Sequence, residues 1–162
     1  MHAAIETLDA ETHASSPFLP TDRKWAIRLR GDTVTIVLGM KDYGRGWFSA
    51  YFPNLVATRL GIPYRQIRIY YSDSFPAVLQ TPALSPTLLH RNDIGEAAGA
   101  VADILEGLCD QVIERARTAF SAMARVDRIY VNCESSLGRF LVPGRDRGLD
   151  ILEIAKISRL AS

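Results

Sequence analysis

Between Gly39 and Asp73 the sequence spells out a strand, a tight loop, a helix and a second strand, and this unit limits the possible folds most. The run Val34-Thr35-Ile36-Val37-Leu38-Gly39 is β-branched and apolar and leads to Gly44-Arg45-Gly46. Phe48, Phe52, Leu55, Val56 and Leu60 then recur at three- and four-residue steps, the spacing of one helix face. Gly61 stops that helix, Pro63 lies just beyond it, and Pro53 is expected in its first turn. Ile67, Ile69 and Tyr71 alternate with Arg68, Tyr70 and Ser72, the period of a strand with one buried face. Two glycines around one polar side chain let backbone N–H groups approach a bulky anionic or metal-bearing ligand. They are equally the usual means of turning a strand into a helix, and the residues alone leave both readings open.

Around this unit the pattern predicts an α+β fold: a mixed or antiparallel sheet with one long and two shorter helices packed on it. Trp25 to Arg30 and Thr33 to Leu38 flank Gly31-Asp32, a hairpin signal. Residues 1–22 are small, polar and punctuated by Pro17 and Pro20, and read as a flexible N-terminal tail before a domain over 23–162. Residues 73–91 carry Pro76, Pro82 and Pro86 without periodicity, a long surface loop of the kind that often carries function. From Asn92, Ile94, Ala97, Ala98, Val101, Ile104, Leu105, Leu108, Val112, Ile113, Ala116 and Phe120 trace one stripe of a helix about 30 residues long. Asp93 with Glu96 suits its N-terminal cap. Arg128 to Val131 and Arg139 to Val142 read as strands joined by Glu134 to Gly138. Asp150 and Glu153 have capping-box spacing for a last helix through Leu160.

Composition excludes several functions. The 19 basic residues are spread among 18 acidic ones, for a formal charge of +1, without the concentrated positive face that nucleic acid binding requires. No apolar run approaches the roughly 20 residues of a spanning helix, and acidic Glu6, Asp9 and Glu11 precede any basic residue, unlike a targeting segment. Cys109 and Cys133 imply neither a disulfide framework nor a zinc site, so a reducing, cytoplasmic setting is expected. Cys109 falls on the long helix's apolar stripe, where a thiol packs as a small hydrophobe, and Cys133 falls in a turn. His2, His13 and His90 are scattered, and no Ser/His/Asp or Cys/His set can be assembled for acyl transfer. The cluster Trp47, Phe48, Tyr51 and Phe52 anchors the first helix, with Trp47 placed to line a pocket beside the loop.

In their order and spacing, Val34 to Gly39, Gly44-Arg45-Gly46, Leu60-Gly61-Ile62-Pro63 and the strand closing on Asp73-Ser74 resemble part of the molybdopterin-binding domain of the xanthine dehydrogenase, aldehyde oxidase and carbon monoxide dehydrogenase large-subunit family. Asp127 to Val131, Gly138 to Gly144 and Leu149 to Ala155 resemble the strand, turn, strand and helix further along in carbon monoxide dehydrogenase-like members. The resemblance spans roughly Arg30 to Leu160. It implies that Gly44, Arg45 and Gly46 face the metal end of a molybdopterin-type molybdenum cofactor, while Asp73, Ser74, Ser85 and Thr87 lie along its edge. Asp73 and Ser74 also suit a plain strand-ending turn, and Ser85 and Thr87 are hydroxyls in a loop.

The chain departs from the family at definite places. The family's loop reads Gly-Gln-Gly, and its glutamine donates to an oxygen ligand on molybdenum; Arg45 is larger, permanently charged and shaped for carboxylate or phosphate. Pro82 to Thr87 stands where a glycine-rich segment is usual, and proline removes a backbone donor. The span from Gly46 to Gly61 is one residue longer than usual. The family's general-base glutamate, iron–sulfur and flavin modules lie beyond the region matched, and Glu96 in Gly95-Glu96-Ala97-Ala98-Gly99 is read as a cap, so no catalytic residue and no metal ligand are assigned. The resemblance implies oxidative hydroxylation of aldehydes or heterocycles by a split or truncated subunit that other molybdenum hydroxylase domains or subunits complete. The rival expectation is a non-catalytic interaction or scaffold protein that keeps the packing with a degenerate site. If half a domain is missing, the long helix's stripe is left bare and the chain self-associates.

Overall fold

The computed structural model describes residues 7–17, 19–40, 47–71, 91–134, 139–142, 144 and 148–160. Lys24–Arg30 (β2) and Thr33–Leu38 (β3) form the expected hairpin, with Ile27 opposite Ile36 and Arg30 opposite Thr33. That register leaves Gly31 and Asp32 as a two-residue turn, with Gly31 at φ +58°. Helix α1, Trp47–Leu60, then carries the chain back so that β4, Ile67–Tyr71, pairs parallel to β3. Parallel neighbours require such a crossover. Helix α1 closes through the Ile62 N–H on the Ala57 carbonyl at 3.0 Å, across Gly61 at φ +66°, the left-handed position that a glycine takes without a Cβ penalty. Pro53 is inside α1, six residues after Trp47, and not in the first turn as expected, because the helix begins well before it.

The sheet has a further strand that the sequence hid. Ala10–His13 (β1) pairs antiparallel with β2, Ala10 opposite Ile27 and Thr12 opposite Trp25, giving the order β1-β2-β3-β4. The described part of 1–22 is therefore not a loose tail: Leu8, Ala10, Ala14 and Leu19 are buried in the same core as Trp25. Asp9 clasps this edge. Its carboxylate accepts from the Leu29 N–H at 3.0 Å and pairs with Arg30 at 2.7 Å, while its backbone carbonyl accepts from the Arg115 guanidinium.

Helix α2, Arg91–Ala124, is the long helix. It begins before Asp93, so Asp93 falls inside the first turn and not at the cap, and Glu96 is an exposed residue of the helix. Its stripe packs on β1, β2, α1 and the last helix. Val101, Leu105, Leu108, Cys109, Val112 and Ala116 are 0% exposed, so the stripe is covered within the chain and the bare face expected of a half-domain is absent among the described residues. Arg128–Tyr130 is a 3-10 turn and not a strand; the strand follows at Asn132–Glu134 (β5) and places Cys133 opposite Phe140. Alternation over four residues fits both, and Ile129 and Tyr130 point outward, 76% and 59% exposed. Arg139–Leu141 (β6) and Leu149–Asp150 (β7) complete a three-stranded antiparallel sheet. Helix α3, Ile151–Leu160, starts with the predicted capping box: Glu153 N–H donates to Asp150 Oδ1 at 2.8 Å, and Asp150 N–H to Glu153 Oε1 at 3.3 Å. Lys156 of α3 donates to Asp32 in the hairpin turn, and that hydrogen bond raises the Lys156 pKa. With two sheets, one mixed and one antiparallel, and three helices, the chain is α+β as expected.

Two positions on α2 give a stabilising prediction. Gly99 and Gly107 are exposed, and a Cβ added at either meets no atom within 4 Å. Glycine inside a helix is less stable than alanine by about 1 kcal/mol, and these sites are far enough apart to add. Gly99→Ala with Gly107→Ala is expected to stabilise the chain by about 2 kcal/mol, read as a melting point roughly 4–8 °C higher.

Candidate functional site

The strand, helix and second strand that carry the resemblance bring two strand ends to one edge of the sheet. Leu38 and Tyr71 are register partners at the carboxyl ends of the parallel pair β3 and β4. The chain leaves that edge after Met40 and re-enters at Trp47, where α1 begins, and it leaves again after Tyr71. Such an edge is where α/β units commonly bind ligands, and the first-turn N–H groups of a helix favour negative charge. Helix α1 has no acidic side chain in its first turn to compete for them. Gly44, Arg45 and Gly46 lie between Met40 and Trp47, while Asp73, Ser74, Ser85 and Thr87 follow Tyr71; all seven lie outside the described residues, as does the loop expected at 73–91. What the described chain brings together is therefore the exits of the two segments.

At the root of the first segment the described residues hold one feature that no local sequence pattern announces. Trp25, 0% exposed at the start of β2, lays its indole over Gly39. A Cβ on Gly39 would stand 2.6 Å from Trp25 Cδ1 and 2.9 Å from Cε2, closer than van der Waals contact allows. The indole N–H is buried and has no hydrogen-bond partner among the described residues. Gly39 is thus a glycine because a ring occupies its side-chain space, a signal that only the paired register of β2 and β3 reveals.

The space beside Gly39 is filled by protein, and among the described residues no group of three or more His, Cys, Asp or Glu side chains could hold a metal ion. The described residues do not by themselves form a holder for a molybdenum cofactor, and no chemical step is derived through it.

The thiols are structural. Burial pushes the Cys109 pKa up to about 12, with Arg59 pulling against it. Burial also raises the Cys133 pKa, with Arg117 opposing, and Cys133 lies half-buried in β5 and not in a turn. Between pH 9 and 12 the unfolded Cys109 thiol loses its proton while the folded one keeps it, so folding binds the extra proton and stability falls as pH rises through that window. The expected loss is on the order of 1 kcal/mol per pH unit. Denaturant melts of the wild type and Cys109→Ala across this range check it: the wild type loses stability faster, and parallel curves contradict the assignment.

No family model matches the chain, and no curated protein matches it. Solved structures match it in fold, among them the Cu,Mo-CO dehydrogenase in its carbon monoxide reduced state and a reconstituted CO dehydrogenase from Oligotropha carboxidovorans. Each is 23% identical with a TM-score of 0.56. The fold is that of one part of a CO dehydrogenase chain. The match covers 79% of this chain and 15% of each CO dehydrogenase chain, so this protein spans a small fraction of the length of the proteins it resembles. No described helix is long and apolar enough to cross a membrane.

Proposed function

We propose that this chain is a molybdenum hydroxylase-type domain of the xanthine dehydrogenase family that offers the segment between β3 and α1 to a molybdopterin-type cofactor, as one part of a larger cytoplasmic oxidoreductase. The observation that carries the proposal is the CO dehydrogenase fold over 79% of the chain. The shared exit edge of β3 and β4 supports it, because the segments that carry Gly44, Arg45 and Gly46 and Asp73, Ser74, Ser85 and Thr87 both depart from the carboxyl ends of that parallel pair. Arg45 is the residue proposed at the metal end, donating through its guanidinium where the family uses a glutamine. Domains or subunits covering the remaining length supply the catalytic base and the electron path for oxidative hydroxylation of an aldehyde or heterocycle.

Arg45 gives the direct test. In protein made together with its completing subunits in a cofactor-competent host, Arg45→Gln is expected to retain molybdenum and Arg45→Ala to lose most of it, by metal analysis. Molybdenum content indifferent to both substitutions removes Arg45 from the site. One observation favours a second function. Because α2 is covered within the chain, the described residues hold a closed core, as an interaction or scaffold module with a degenerate site would.

A further inference from the structure

We infer that the face of the four-stranded sheet opposite the helices is a docking surface for an acidic face of another protein, the subunit that completes the assembly; this rests on the proposed function above. Helices α1 and α2 occupy the inner face, onto which Trp25, Ile27, Leu29, Val34, Ile36 and Leu38 are buried. Side chains alternate along a strand, so the register fixes the opposite face. One cross-strand row there is Arg28, Thr35 and Arg68, and the next is Ala26, Val37 and Tyr70.

The other cations of β2 on this face are already paired: Lys24 with Glu11 at 3.4 Å and Arg30 with Asp9 at 2.7 Å. Arg28 and Arg68 are exposed, and among the described residues neither has a carboxylate partner; Arg68 reaches backbone carbonyls of Arg65 and Ile67 at 3.4 and 3.5 Å. Two strands apart, they stand about 10 Å from each other across Thr35. Tyr70 is 60% exposed beside them. Arginine and tyrosine are among the residues enriched at protein interfaces, and an uncompensated pair of guanidiniums around a half-buried threonine and valine calls for carboxylates on the partner.

The probe is a fluorescein-labelled oligoglutamate peptide, followed by anisotropy with the full chain at low salt. It is expected to bind, to weaken as salt rises, and to weaken roughly tenfold or more in Arg28→Glu with Arg68→Glu, while Arg28→Lys with Arg68→Lys keeps most of the affinity. All four substitutions are at exposed positions, and circular dichroism confirms that the fold is kept. No binding, or binding that survives the charge reversal, overturns the inference. So does a single-stranded oligonucleotide of equal charge that binds more tightly, which makes the face a nucleic acid surface, or a dimer in sedimentation that the reversal abolishes, which makes the occupant a second copy. Molybdenum content read on the same variants separates this failure from failure of the proposed function.

Discussion

Gly39→Ala is expected to destabilise the chain by about 3 kcal/mol, the upper part of the range for overpacking a filled interior. The added methyl would fall within 2.9 Å of the Trp25 indole, and neither partner has an easy escape. Trp25 is 0% exposed at the core side of β2, and Gly39 is held by the end of β3 one residue earlier. The mechanism predicts coupling as well as loss. With Trp25→Leu the ring is gone and the space opens, so Gly39→Ala costs much less in that background, with an interaction term of about 2 kcal/mol in a double-mutant cycle. Denaturant melts of the four proteins give the cycle directly. Additive losses contradict the contact.

Asp9→Ala is expected to cost about 2–3 kcal/mol, because it removes charge-assisted hydrogen bonds and leaves the Leu29 N–H without its acceptor. A surface ion pair alone is worth well under 1 kcal/mol, so the size of the effect distinguishes a clasp from an ordinary pair with Arg30. Hydrogen exchange supplies a second readout. Amides of β1 and of Leu29 are expected to lose protection while those of α2 near Leu105 keep it. A change of a few tenths of a kcal/mol, with protection intact, returns residues 7–17 to the status of a dispensable tail.

These two sites show what kind of information a single sequence carries. The hairpin, α1, α2 and α3 were legible because each is specified locally: alternation for β2 and β3, a 3.6-residue stripe for α2, Gly61 at the end of α1, and the Asp150–Glu153 pair at the start of α3. Strand β1 was not, since Ala10-Glu11-Thr12-His13 shows almost no apolar alternation and is a strand only because β2 offers it an edge. Its anchors come from Leu29, Arg30 and Arg115, distant in sequence, and nothing near Asp9 announces them. The 3-10 turn at Arg128–Tyr130 reads as a strand for a different reason: it is too short for its period to decide. At the candidate site, Gly39 was legible as a glycine but not as the floor beneath Trp25, which depends on the register of β2 against β3. The roles of Gly44, Arg45, Gly46, Asp73, Ser74, Ser85 and Thr87 rest on family order and on the edge from which their segments leave.

The central claim is that those segments meet a molybdopterin-type cofactor. The most direct measurement is molybdenum by mass spectrometry together with pterin fluorescence, on protein co-expressed with the products of adjacent reading frames in a host that makes the cofactor. Molybdenum and pterin in near-equal amounts to this chain are the expected result. Protein that folds and assembles yet carries neither would contradict the account and leave only the inherited fold.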